Sequence, residues 1–427
     1  MIHIKIRPRC ESLPGLGSQD TGETTRSFQL REHLCSRWFV LIVVSGIALL
    51  AFLYEARTSA LQSWILSSYA QKMSYRVEPG PSPRILFPRH GPFDVRAGYT
   101  RIPEFEKRLR KAGYEVTEQV RFSPELQRVA RWGIFPYSEP VFSKLTIAGM
   151  DGHPLFEAPV GGHFFRAFEE VPEPVVKALL VIENRELEDP ADSRTNPVVD
   201  WDRLFKAALL YTGNKLGLPL SVEGGSTLAT QMEKYRHSYE GRTNSLLAKL
   251  RQMTDASLKV YRKGPDTRET RREIILDYLN SIPLAAAPGY GEILGIGNGL
   301  KAWFGLELKE VQAALSLPDD HPDKARAFKH VLALLCSVRA PSQYLVNDRE
   351  ALQRRTNFYT RLMANLQVIS PRFAQAVESE QMAFASRRPK NTLPSFSERK
   401  ATNELRSRLM TLLGVSGLYE LDRIHLD

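Results

Sequence analysis

The chain of 427 residues carries 58 Lys and Arg against 48 Asp and Glu, a net charge of +10. Its 43% hydrophobic and 25% charged content are those of a folded globular protein, and its length allows two or three domains. The basic excess points to an anionic partner, but with no Cys/His zinc spacing and no aromatic RNP-like strand the sequence speaks against nucleic acid and for a membrane surface or phosphates.

Cys10, Cys35 and Cys336 form neither a disulfide framework nor a CxxC pair, and no metal-ligand spacing is present. Residues 1–37 are polar, contain Arg7, Arg9, Arg26, Arg31 and Arg37, and read as a disordered tail. Residues 38–54, WFVLIVVSGIALLAFLY, hold no charge and have aromatics at both ends, as a short transmembrane helix does. A cleaved signal peptide would need a shorter leader and a better cleavage site than Thr58-Ser59-Ala60. Arg26, Arg31 and Arg37 precede the span and only Arg57 follows it closely. The positive-inside rule then puts the N-terminus in the cytoplasm and the bulk of the chain outside.

Residues 71–101 are rich in Pro and Gly and read as a linker or extended entry. A short helix over 103–113, an alternating run over 114–122 and two short strands over 144–156 make a small α/β module at 76–160. His90, His153 and His163 stand alone there and read as structural or solvated. From Pro172 apolar residues recur at helical spacing, beginning with Val175, Leu179 and Ile182, and predict a mainly α domain over 161–385. An Ala-, Gly- and Pro-rich stretch from Leu284 to Gly305 interrupts it as a loop. Residues 386–427 form a basic tail in which LRSRLMTLLGV predicts one more helix; Asp427 carries no domain-closing signal and leaves room for a longer architecture.

Two places carry chemistry. Glu183 closes the apolar helix LLVIE, which puts its stem in the core and its head at a cleft edge. Such a site raises a carboxylate's pKa and suits a general acid or base; the plainer reading is an exposed C-terminal Glu. Glu223 to Ser238, EGGSTLATQMEKYRHS, is a Gly-rich turn feeding a helix with a polar, basic face. Backbone N–H groups, hydroxyls and a Lys there suit a phosphate or diphosphate, and an N-capped, solvated helix is the plain alternative. The segment from Gln231 to Glu273 holds 11 Lys and Arg against 6 Asp and Glu, half of the chain's basic excess.

These residues resemble the family-51 glycosyltransferases, the peptidoglycan polymerases found alone or in class A penicillin-binding proteins. LLVI with Glu183 resembles their first motif. GGSTLATQMEK matches the second at Gly225, Ser226, Thr227, Gln231 and Lys234, and EIILDYLN (Glu273 to Asn280) matches the fourth. GNGLKAWFG approximates the fifth, and Ala340-Pro341-Ser342-x-Tyr344 also fits, so the resemblance covers about 165–380. It implies a lysozyme-like α fold at the outer face of the bacterial cytoplasmic membrane, and polymerisation of lipid II into glycan strands with inversion. Glu183 would be the general base. Ser226, Thr227 and Gln231 would line the site, and Lys234, Lys249 and Arg251 would hold the leaving diphosphate, with a divalent cation (Mg or Mn) bound through it. Other cell-wall synthesis proteins are the further partners it implies.

The sequence departs from the pattern at Asn184, in place of an Asp, and in the third motif. There Ala248 replaces an Arg, and Gln252 stands at the position of the family's second catalytic Glu, where Asp255 or Glu273 would have to compensate. A Gln hydrogen-bonds but carries no negative charge. Two further readings follow: a weakened or inactive scaffold that binds lipid II or glycan, and a lysozyme-like lytic enzyme, for which one Glu can serve as the acid. No transpeptidase motif set accompanies the glycosyltransferase motifs.

Overall fold

The computed structural model describes residues 23–426 except 85, 138, 140–144, 159–162, 184–186, 188–191, 216–225 and 386–395. The chain divides into two compact units, Met1–Ala56 and Arg57–Asp427. The described part of the first lies in α1 (Glu23–Thr58), whose stretch Trp38–Thr58 has a mean hydropathy of 2.3 over 21 residues and no burial. It is long and apolar enough to cross a membrane.

In the second unit, Ser59 at φ +49° breaks the helical run before α2 (Ala60–Ala70). This helix buries Ser63, Ser67 and Ala70 and exposes Leu61, Trp64 and Ile65. Its polar side is held by Asn196, whose backbone N–H donates to Ser59 Oγ (3.0 Å) and whose amide donates to Gln62 and to Ser257 Oγ. The apolar face therefore looks outward, the reverse of an ordinary surface helix.

The module that follows contains β1 (Tyr75–Pro79), α3 (Pro92–Arg96), α4 (Ile102–Lys111), β2 (Glu118–Phe122), α5 (Pro124–Arg131), β3 (Thr146–Ala148) and β4 (Pro154–Glu157). The Pro-rich stretch read as a linker supplies β1, which pairs antiparallel with β2, Tyr75 opposite Phe122. Pro79 falls at the strand end, where its missing N–H costs the ladder little. β3 and β4 form the expected hairpin.

The helical domain comprises α6 (Glu173–Ile182), α7 (Trp201–Lys215), α8 (Leu228–His237), α9 (Leu246–Val260), α10 (Arg268–Ser281), β5 (Pro283–Ala287), β6 (Gly291–Leu294), α11 (Ile296–Gly299), α12 (Leu308–Leu315), α13 (Pro322–Ser337), α14 (Arg349–Asn365) and α15 (Pro371–Ser379). From Ala327 to Ser337 α13 is buried on every face, because α6, α12, α14 and α15 all pack on it. The Ala/Gly/Pro-rich stretch read as a loop is a β5–β6 hairpin followed by α11; Gly289 and Gly291, at φ +84° and +74°, make its turn.

Residues after 395 do not trail away. α16 (Phe396–Leu413) and α17 (Leu418–Leu421) return to the module, where Leu413, Val415, Leu421 and Ile424 share a core with Phe105, Leu145 and Ala158. Leu426 forms a parallel bridge with Leu145, and the Thr146 N–H donates to its carbonyl at 2.9 Å.

This module is seated on α8. Gly91 lies so close to the Arg236 carbonyl that a Cβ would stand 1.7 Å from its oxygen. His237 is 2.7 Å from Asp94 and 3.0 Å from Glu139. Burial works against a charge on this imidazole, but the two carboxylates more than offset it and raise its pKa to about 10. The Phe135 N–H donates to Asp255 at 3.2 Å, and Glu292 of β6 pairs with Arg96 and Arg423.

Candidate active site

α6 starts at Glu173 with Pro174 in its first turn and ends where Glu183, as C-cap, gives its N–H to the Leu179 carbonyl (2.9 Å). Val175, Val176, Ala178, Leu179 and Leu180 anchor the helix in the core, so the half-buried Glu183 is held at the core's edge. Its Oε2 accepts from the Gln231 amide at 2.9 Å, and Arg203 donates to its backbone carbonyl at 2.8 Å. Desolvation raises the Glu183 pKa above the ordinary carboxylate value, opposed by the Gln231 hydrogen bond and the charges of Arg203, Arg355 and Arg339. The fully buried Tyr278, from EIILDYLN, also feels this carboxylate, which adds to desolvation in raising its hydroxyl's pKa.

α8 carries the opposite wall. Thr227 is its N-cap; its Oγ1 accepts from the Thr230 N–H and donates to the Val198 carbonyl (3.1 Å), so the hydroxyl is engaged by the protein itself. Gln231 and Lys234, three apart, share a face of α8. Lys249 on α9 donates to Ser226 Oγ at 2.9 Å, and its pKa is lowered by desolvation and by the charge of Lys234. Neither lysine is paired with a carboxylate among the described residues. Glu183 is thus bonded to Gln231 of α8, while Lys249 is bonded to Ser226 and feels the charge of Lys234, which shares the Gln231 face of that helix.

The other sequence candidates lie elsewhere. Arg251, two residues from Lys249 and so on another face of α9, packs toward Gly133 and Trp132 of the module. Gln252 is buried against two hydroxyls, with Nε2 on Ser238 Oγ (2.7 Å) and Thr243 Oγ1 (3.0 Å). Asp255 accepts from Phe135, and Glu273 pairs with Lys263, so neither has a described bond to the Glu183 tract. Gly225 and Asn184 lie outside the described residues.

Four residues near Glu183 escape a sequence reading. Arg203, Arg339 and Arg355 bring positive charge to it from helices or loops 20, 156 and 172 residues away. Arg271, buried in α10, donates to the Leu187 and Thr195 carbonyls (2.7 Å each) and ties down the stretch after Glu183. Nothing in the sequence singles it out among the charges of RETRRE. Asn280 of EIILDYLN grips the Phe165 backbone through both amide atoms (3.0 and 2.8 Å), so that motif position holds the fold together.

The family model described as Transglycosylase matches residues 161–364. That segment is a family-51 transglycosylase domain. A comparison with curated proteins gives no match. The transglycosylase domain therefore supplies Glu183 and the α8–α9 tract, while α2, the module and the C-terminal helices lie outside it. Its type of function is that of a peptidoglycan glycosyltransferase.

Proposed function

We propose that this protein is a membrane-anchored peptidoglycan glycosyltransferase that joins lipid II units into glycan strands by inverting transfer, with Glu183 as general base. The observation that carries this reading is a desolvated carboxylate at the end of α6, within the field of Arg203, Arg355 and Arg339 and held by Gln231, whose helix carries Lys234 on the same face. Glu183 takes the proton from the acceptor sugar's 4-hydroxyl as its oxygen forms a bond to the donor's anomeric carbon. The bond from that carbon to the lipid diphosphate breaks on the opposite side. A raised pKa makes Glu183 a better base, and the Gln231 amide fixes one oxygen so that the other faces substrate. Lys234 and Lys249 stabilise the charge that develops on the leaving diphosphate.

The described groups around Glu183 comprise one carboxylate among cations, which does not make a set of protein ligands for a metal ion. A divalent cation would have to be carried by the substrate's diphosphate, and no step above depends on one. The bulk of the chain would lie outside the cytoplasmic membrane, behind the apolar stretch of α1. The outward Leu61, Trp64 and Ile65 of α2, two residues past that stretch, suit a membrane surface.

A second reading, a lipid II-binding scaffold, is favoured by Gln252, whose uncharged amide is spent on Ser238 and Thr243. Incubation of the full chain with labelled lipid II separates the readings. Glycan polymer made by the wild type and lost in Glu183→Gln supports the polymerase. Lipid II binding without polymer supports the scaffold, and fragments released from finished peptidoglycan would instead support a lytic enzyme.

A further inference from the structure

We propose that the seam between the module and α9 is a binding site for one anionic phospholipid, with its head-group phosphate among Arg89, Arg131 and Arg251 and its acyl chains along Trp132, Leu247 and Leu250. The proposal goes beyond the glycosyltransferase reading and rests on it only for the presence of a membrane.

Two clefts meet at this seam. One, of about 370 Å³, is lined in part by Arg89, Arg131 and Arg251. The other, of about 360 Å³, is lined in part by Trp132, Ile134, Leu247 and Leu250. Trp132 and Arg251 line both, so the basic cleft and the apolar cleft adjoin. Each lies in the range of about 300–1,000 Å³ that small-molecule sites occupy. A ligand filling both has an anionic end and an apolar end, which is the chemistry of a phospholipid.

The basic cleft holds cations in excess. Among the described residues none of Arg89, Arg131 and Arg251 pairs with a carboxylate. Arg89 lies 4.7 Å from the centre of the Phe87 ring. Arg251 crosses the backbone of Gly133, where a Cβ would stand 3.1 Å from its guanidinium. Asp94 also lines this cleft, but it is paired at 2.7 Å with His237, whose imidazole is kept charged by Glu139 and Asp94. Guanidinium groups meet phosphate oxygens in planar, bidentate pairs, so three of them around one cleft suit a phosphate ester.

The apolar cleft is open to the outside. Leu247, Leu250, Arg251 and Thr254 stand at i, i+3, i+4 and i+7 and form one stripe of α9. Leu247 and Leu250 are 69% and 51% exposed, and Trp132 of the module is 73% exposed. Water disfavours such large apolar surfaces side by side, and a tryptophan next to charged groups is typical of a membrane interface. α2 packs on α9, and its Ala70 shares a core with Ile134 and Leu258. The seam is therefore tied to the helix whose outward Leu61, Trp64 and Ile65 suit a membrane surface, which favours a bilayer lipid over a free anion. Lys249 is about 200° around α9 from Arg251, so a lipid in the seam leaves the Lys249 face free. The lipid would fasten the module to the bilayer beside the transglycosylase domain.

The test uses the full chain in non-ionic detergent without lipid II, so its result is separate from that of the polymerisation assay. Native mass spectrometry during titration should show one dioleoyl phosphatidylglycerol held about tenfold more tightly than dioleoyl phosphatidylcholine. Arg89→Gln/Arg131→Gln/Arg251→Gln should weaken that binding about 100-fold, roughly fivefold for each arginine. Arg354→Gln/Arg361→Gln/Arg408→Gln removes the same charge from exposed positions elsewhere and should leave it unchanged. Trp132→Ala/Leu247→Ala should weaken it about tenfold through lost apolar contact. Equal binding of the two lipids, or equal loss in both arginine variants, would overturn the proposal. Displacement of the lipid by inorganic phosphate, or binding unaltered in Trp132→Ala/Leu247→Ala, would overturn it in favour of a site for the free anion.

Discussion

The two faces of α8 make opposite use of charge. On one, Gln231 holds the desolvated Glu183 carboxylate, and Lys234 and Lys249 feel each other's charge with no carboxylate partner among the described residues. On the other, Glu233 and His237 turn into a buried seam where Glu139 and Asp94 pair with the imidazole and Lys259 pairs with Glu233. Glu233 and Lys234 are adjacent in sequence, yet about 100° of helical rotation separates them and sends them to different environments. The first face is arranged to receive an anion from outside the chain. The second joins two parts of the chain to each other. A disruption of the first should therefore appear in chemistry, and a disruption of the second in stability.

The largest effect expected on the first face is from Glu183→Gln, which should lower lipid II polymerisation by about 10²- to 10⁴-fold with the melting temperature little changed. On the second face, Asp94→Ala removes one of the two carboxylates that hold the buried His237 charge. It should cost about 3–5 kcal/mol of stability, measured by chemical denaturation, as loss of one member of a buried ion pair does. If Asp94→Ala abolished polymerisation in protein of unchanged stability, the division between the faces would fail. Lys249→Ala should reduce polymerisation by about 10²-fold, the usual effect of losing one charge-stabilising donor, without loss of stability, because the lysine's charge is already disfavoured by desolvation.

The smallest expected effect is on the pH profile. The Glu183 pKa is raised by burial, so the basic form is lost as pH falls through a value above the ordinary carboxylate range. Polymerisation should decline on that limb. The stability contribution runs the other way: it is full below the unfolded carboxylate's pKa and is lost as pH rises through the folded value. Glu183→Gln should flatten that stability trend, and an unaltered trend would mean that another group sets it.

Legibility in the sequence follows the range of the interactions. The helix ending at Glu183 was readable because its apolar spacing and Pro174 are local signals. The Thr227 cap and the α8 face bearing Gln231 and Lys234 were readable for the same reason. The helical period around Lys249 also implied that Arg251 points elsewhere, although the basic run invited both into one site. Gln252 was visible as a departure, but its engagement with Ser238 and Thr243 depends on how the chain turns back before α9. Arg203, Arg339 and Arg355 gave no signal, since nothing in their neighbourhoods records which carboxylate they face.

By itself the sequence determined the apolar span, the run of helices and the two motifs that carry the transglycosylase resemblance, because periodicity of 3.6 and an uncharged stretch are properties of neighbouring residues. Only the tertiary structure decided that α16 and α17 complete the core of a module begun about 300 residues earlier, and that Asp94 and Glu139 meet His237. Those meetings arise from burying apolar faces that are far apart along the chain. Hydrophobic burial has no preferred sequence separation, so spacing alone does not reveal its partners.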